Sequence, residues 1–168
     1  MVFERSLLPH YFHWLAKLRA KHTKANLANA TSPVKVDGVM GAFFLIRRSV
    51  IFPPTLFDED FFFFYEDSAL SHTLADRAVP CFVLPDVSII HVGGRSRSEV
   101  SVSLFYKNKY LYLQKFYGPS HARAVRWVDR TRILRKWLLY SALSRFFPSD
   151  RMRHKRRHYH HAWNASRL

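Results

Sequence analysis

Apolar positions follow a helical rhythm at both ends of the chain and a strand-like rhythm between them. From Phe3 to Leu27, Leu8, Phe12, Leu15 and Leu18 are spaced to share one helix face, with Lys17, Arg19, Lys21 and Lys24 gathered toward the far end. The small, polar stretch from Asn26 to Pro33 reads as a loop. Gly38 and Gly41 then precede a continuous apolar run, Ala42 to Ile46, which predicts a strand buried on both faces and ended by Arg47 and Arg48. The two glycines suit either a tight entry into that strand or close contact with a ligand.

After Pro53-Pro54, an aromatic and acidic loop covers Phe57 to Tyr65. A helix is predicted over Glu66 to Arg77 by Leu70 and Leu74, with Glu66 and Asp67 in its first turn, where unsatisfied N–H groups favour negative charge. Short strands are predicted at Pro80 to Leu84 and Val87 to Val92, joined by a Pro85-Asp86 turn. Val100 to Gly118 and Ala122 to Phe147 read as helices. In the second of them Trp127, Leu134 and Leu138 share a face that either packs on the domain or lies in a membrane interface. From Ser149 the text is too polar to fold alone and reads as a basic tail.

Charge sharpens this division. The 168 residues carry a formal net charge of +15, yet Phe57 to His91 holds seven acids and one base, Arg77. Residues 1–56 carry eight Lys/Arg against two acids, and residues 92–168 carry eighteen against three. An anionic surface, lipid or nucleic acid, is the natural partner of the last segment. A hydrophobic share of 48% supports a real core, and the single cysteine, Cys81, excludes an internal disulfide and a cysteine metal cage. No apolar run approaches a transmembrane span. His154, His158, His160 and His161 sit among Lys155, Arg156 and Arg157, which repel a cation, so they are read as solvated.

Within the acidic island, helix capping accounts for one carboxylate but less well for Asp58, Glu59 and Asp60 as well, because like charges in close sequence repel. His91 falls at the end of the second predicted strand, before Gly93-Gly94. That position serves a structural histidine or a ligand contact.

The order of these features resembles the C-terminal half of family 2 glycosyltransferases of the GT-A fold, particularly the bacterial rhamnosyltransferase-like members that build cell-surface polysaccharides. The matching residues are Gly41-Ala42 with Arg47-Arg48, Phe57-Asp58-Glu59, Phe62 to Asp67 with Leu70, Pro85-Asp86, His91, and Gly94 with Ser96. A looser match runs through Tyr106, Asn108 and Lys115 to Gly118. Two positions depart from the family pattern: Ala69 replaces a second acid, and His72-Thr73 stands where an arginine is usual.

The resemblance implies an α/β, Rossmann-like fold: a partial GT-A domain over residues 34–120 with a few central strands flanked by helices. An N-terminal helix and loop (1–33) and a basic helical extension (121–168) complete it. It implies an inverting, nucleotide-sugar-dependent transferase with Asp67 as catalytic base and Glu66 as its partner. Gly41, Ala42, Arg95 and Ser96 would contact substrate and His91 a metal. A divalent ion, Mg or Mn, would assist the departing diphosphate, held mainly by the family's N-terminal half.

That half, with its nucleotide-binding βαβ units and Asp-x-Asp metal motif, finds no matching stretch upstream. The chain is therefore expected to be an acceptor-side fragment, weakly active or inactive alone. Its expected partners are a nucleotide-sugar donor, a saccharide or lipid-linked acceptor, a separate N-terminal glycosyltransferase half, and an anionic membrane through the basic C-terminal helix. Its expected place is the cytoplasmic face of the plasma membrane. Two other readings remain: a basic nucleic-acid-binding protein, disfavoured by the acidic island and by the lack of a helix-turn-helix, RNA-recognition or zinc-finger signature, and a non-catalytic membrane-peripheral remnant.

Overall fold

A computed structural model describes residues 2–3, 26–51, 56–91 and 99–167. The chain divides into two compact units, Met1–Val92 and Gly93–Leu168.

Among the described residues the first unit contains four short strands, β1 (Val2–Phe3), β2 (Val34–Val36), β3 (Gly38–Val39) and β4 (Cys81–Val83), a 3-10 turn at Arg48–Val50, and helix α1 (Glu66–Asp76). The strands pair antiparallel in two ladders, β1 with β3 and β2 with β4, in the register Val2↔Val39 and Val34↔Val83. Helix α1 packs against β3. Its Ala69, Leu70 and Leu74 are buried with Phe61, so the predicted i, i+4 leucine pair does face the core.

Helix α1 ends without glycine. Ala78 adopts φ 57° while the Ala78 N–H donates to the Ala75 carbonyl and the Val79 N–H to the Leu74 carbonyl. This is the Schellman pattern, with alanine in the left-handed position that glycine usually fills.

Several expected strands are absent. Ala42 to Ile46 forms no ladder, and Leu45 is 86% exposed. The chain turns at residues 41–43 instead, where the Gly41 N–H is committed to a side chain rather than to a neighbouring strand. Residues 87–91 likewise form no strand and lie exposed, Ile90 at 96%. A strand needs a paired neighbour to satisfy its backbone, and neither run has one among the described residues. The expected sheet of central strands is thus reduced to two-stranded ladders, and helices dominate the chain. Most of the predicted helix from Phe3 to Leu27 lies outside the described residues; its start differs, since Phe3 belongs to β1, while residues 26 and 27 at its end are helical, and so is Ala28, expected as loop.

The second unit consists of helices α2 (Glu99–Tyr117), α3 (Pro119–Phe146) and α4 (Asp150–Ala165), each packed on the other two. Gly118, at φ 89°, makes the turn between α2 and α3, and Pro119 opens α3 at a position where a missing N–H costs nothing. Consecutive helices run antiparallel. Lys109 of α2 meets Asp129 of α3, while Trp137 and Tyr140 of α3 meet His160 and Tyr159 of α4.

The expected tail is helix α4. Ser149 caps it by accepting from the Met152 N–H at 3.3 Å, and Asp150 and Arg153 bridge its first turn at 2.6 Å. Its polarity is absorbed by aromatic partners. The Tyr140 and Tyr159 rings stack at 5.4 Å, with Lys155 over the first and Lys136 over the second. Of the two readings of the Trp127, Leu134 and Leu138 face of α3, packing on the domain is not the one found: Ala122, Val125, Asp129 and Ile133 are buried, whereas Trp127 and Leu138, on the opposite side, are exposed.

Candidate functional site

The site in the first unit is assembled by the turn after β3 and the first turn of α1. The Gly41 N–H donates to Asp67 Oδ2 at 2.9 Å, across 26 residues of sequence, and the Ser68 hydroxyl donates to Asp67 Oδ1 at 3.2 Å. Both carboxylate oxygens therefore have a fixed partner, and each keeps a further lone pair for a substrate group. The carboxylate also lies in the first turn of α1, where the helix dipole favours negative charge.

The approach to that turn is strained. Phe64 and Tyr65 stand at φ 67° and 70°, the left-handed region, in consecutive residues with bulky side chains. Each such position costs about 1–3 kcal/mol, a strain that collects at functional sites. Tyr65 takes the N-cap position but makes no side-chain cap, although its carbonyl accepts from the Ala69 N–H at 2.8 Å. The strain delivers Glu66 and Asp67 together into the first turn.

Glu66 has a different environment from its neighbour. Its Oε2 is buried with no hydrogen-bond partner, and burial raises its pKa above the ordinary value of 4.5; a backbone hydrogen bond opposes this, and the Asp67 charge adds to it. A buried carboxylate oxygen without a donor is unusual enough to require a reason.

Asp58 of the island has a local role. Asp58 Oδ1 accepts the Asp60 N–H at 3.3 Å and the Asp58 carbonyl accepts the Phe61 N–H at 3.0 Å, a side-chain-stabilised turn. Glu59 is exposed. The aromatic run splits by role: Phe61 is core, and Phe62 is exposed. His72, at the departure from the family pattern, is buried with Nε2 3.9 Å from Asp76 Oδ2 one turn on.

The structure thus brings together Gly41, Glu66 and Asp67 among the sequence-predicted residues. Ala42 is exposed in the turn beside them, and His91 is exposed on residues that form no strand. Arg95 and Ser96 lie outside the described residues. Among the described residues no three His, Cys, Asp or Glu side chains converge to hold a metal ion. His91 is a single donor, so the described residues do not by themselves fit the divalent ion that the resemblance implies.

Sequence reasoning missed Ser68, whose only signal is its place next to Asp67. It also missed the left-handed pair, because Phe and Tyr carry no sequence signal for that conformation. Compared with protein-family models, curated proteins and solved structures, the chain matches none.

Proposed function

We propose that this chain supplies the acceptor side of an inverting, nucleotide-sugar-dependent glycosyltransferase of the GT-A type, acting in cell-surface polysaccharide synthesis, with Asp67 as its base. The observation that carries the reading is the hydrogen bond from the Gly41 N–H to Asp67 Oδ2. It joins two parts of the motif that lie 26 residues apart in sequence. The left-handed Phe64-Tyr65 pair directly before Glu66 and Asp67 supports the reading, because such strain collects at functional sites.

In the reaction, an acceptor hydroxyl hydrogen-bonds to a free lone pair of Asp67. Its oxygen attacks the anomeric carbon of the donor as the proton passes to the carboxylate. The bond from that carbon to the diphosphate oxygen breaks with its electron pair, and the nucleoside diphosphate leaves. Gly41 and Ser68 orient the base, and Glu66 is a positioning residue behind it. Phe62 offers an exposed ring for stacking on a sugar face. The divalent ion implied by the resemblance needs further donors from outside the described residues.

The nucleotide-binding half would come from a separate glycosyltransferase segment. The exposed apolar side chains of Phe43, Leu45 and Ile90 support a partner segment that covers them.

The test is co-expression of the chain with an N-terminal glycosyltransferase half, followed by measurement of nucleoside diphosphate released from a panel of nucleotide-sugars in the presence of lipid-linked acceptors. Transfer that falls about 10²–10⁴-fold in Asp67→Asn supports the assignment. Transfer indifferent to that substitution refutes the base, and no transfer with any combination returns the chain to a non-catalytic remnant.

A further inference from the structure

The outer side of the three-helix unit carries a groove of about 470 Å³ lined by Arg123, Arg126, Trp127, Arg130, Thr131, Leu134 and Trp163. Asp129 is the one acid in α3, and its carboxylate is buried against Lys109 Nζ at 2.6 Å. Arg123, Arg126 and Arg130 form no ion pair with the described residues.

Two of these guanidiniums are held by rings rather than by carboxylates. Arg126 lies over Tyr110 at 4.6 Å and Arg130 over Trp163 at 4.8 Å; Arg167 lies over the same indole at 5.3 Å. Stacking uses the face of a guanidinium and leaves its N–H edge free, the edge that matches two phosphate oxygens. The groove therefore gathers three guanidiniums whose N–H groups suit a phosphate.

The apolar side chains around it decide which phosphate. Trp127 is 69% exposed and Leu138 55%, and both stand on the same stripe of α3 as Leu134 in the groove. At about 3.6 residues per turn this stripe lies opposite the buried Ala122, Val125, Asp129 and Ile133, which leaves Trp127 and Leu138 exposed while Leu134 is half-buried. A nucleic acid would engage the arginines and an indole but leave Leu138 in water. A bilayer surface takes all three: arginines at the phosphate level, indoles in the interface, leucine at the acyl boundary.

We infer that this groove binds the phosphate of an anionic phospholipid and seats the second unit on a membrane surface. No helix among the described residues is long and apolar enough to cross a membrane. The inference does not rest on the glycosyl-transfer reading.

The test is co-sedimentation of the full chain with phosphatidylcholine vesicles, with and without phosphatidylserine. Binding is expected only with phosphatidylserine, and Arg123→Ala is expected to weaken it about fivefold, the effect of about 1 kcal/mol for one basic residue near an anionic leaflet. Arg123 is exposed, with its Nη2 on the Ser120 hydroxyl at 3.4 Å, so an unchanged melting temperature is expected alongside.

A second measurement needs no charge variant. Brominated phosphatidylserine should quench tryptophan emission of the unmodified chain, and Trp127→Phe should remove much of the quenched signal. Equal binding to both vesicle types, no effect of Arg123→Ala in a folded variant, or no quenching overturns the inference. So does a single-stranded oligonucleotide that displaces the chain from vesicles and loses affinity equally on Arg123→Ala, which would assign the groove to nucleic acid.

Discussion

Gly41 donates its backbone N–H to Asp67 Oδ2 at 2.9 Å, so the turn after β3 and the start of α1 hold a single carboxylate between them. The bond depends on the amide rather than on the absence of a side chain. A Cβ at residue 41 would meet Asp67 Cβ at 3.5 Å and the Phe44 ring at 3.7 Å, both ordinary contacts. Gly41→Ala should therefore change stability by less than about 1 kcal/mol, whereas Gly41→Pro removes the donor and should cost roughly 1–2 kcal/mol more. Urea unfolding of the two variants checks this, and equal losses would show that the hydrogen bond contributes nothing.

Glu66 makes stability depend on pH in a defined direction. Its folded pKa is raised, chiefly by burial, above its ordinary value of 4.5. Between those two values the folded chain holds a proton that the unfolded chain has lost, so stability falls as pH rises through the window. The favourable contribution is complete below the ordinary value and gone above the folded one. Glu66→Gln should match the wild type in melting temperature at about pH 4 and exceed it at about pH 7. Parallel melting curves across that range check the sign.

Ala78 sits in the left-handed position of the motif that closes α1. Relief of the Cβ strain there outweighs the added chain entropy of glycine. Ala78→Gly should stabilise the chain by roughly 0.5–1 kcal/mol, read by denaturant titration. A loss of stability would show that the turn is held by its neighbours and carries no strain.

Lys109 and Asp129 form a buried ion pair at 2.6 Å, with the Tyr110 hydroxyl 3.5 Å from the same Asp129 oxygen. Burial first, and Asp129 second, push the phenol of Tyr110 far up, so it stays a neutral donor. Lys109→Met leaves Asp129 charged and buried without its cation and should cost about 3–5 kcal/mol. Lys109→Met with Asp129→Leu should cost less than that single change. A double-mutant cycle by urea unfolding measures the coupling, and additive losses would show that the pair is not linked.

Helices were legible wherever apolar spacing and local capping agree. Leu70 and Leu74 mark α1, and the Val100 to Gly118 and Ala122 to Phe147 stretches emerge as α2 and α3 within a few residues of their expected ends. Such signals are local, because helix hydrogen bonds close within four residues. The basic tail was misread for the same reason: nothing within Asp150–Ala165 shows that Tyr140, Lys136 and Arg130 of α3 will partner its aromatic side chains.

Strands were legible only in part, since a strand exists through a neighbour that its own residues do not name. Cys81–Val83 was anticipated and finds Val34–Val36; Ala42 to Ile46 is as apolar and finds none among the described residues. The candidate site divides in the same way. By itself the sequence determined which residue types carry the chemistry: a glycine in a turn, a pair of carboxylates opening a helix, and a basic helix with tryptophan and leucine on one side. Only the tertiary structure decided that Gly41 and Asp67 meet, that Glu66 Oε2 is buried without a donor while Asp67 has two, and that the Trp127 and Leu138 stripe stays in solvent. Those outcomes depend on contacts between segments far apart in the chain and on burial, and neither is a property of any one stretch of residues.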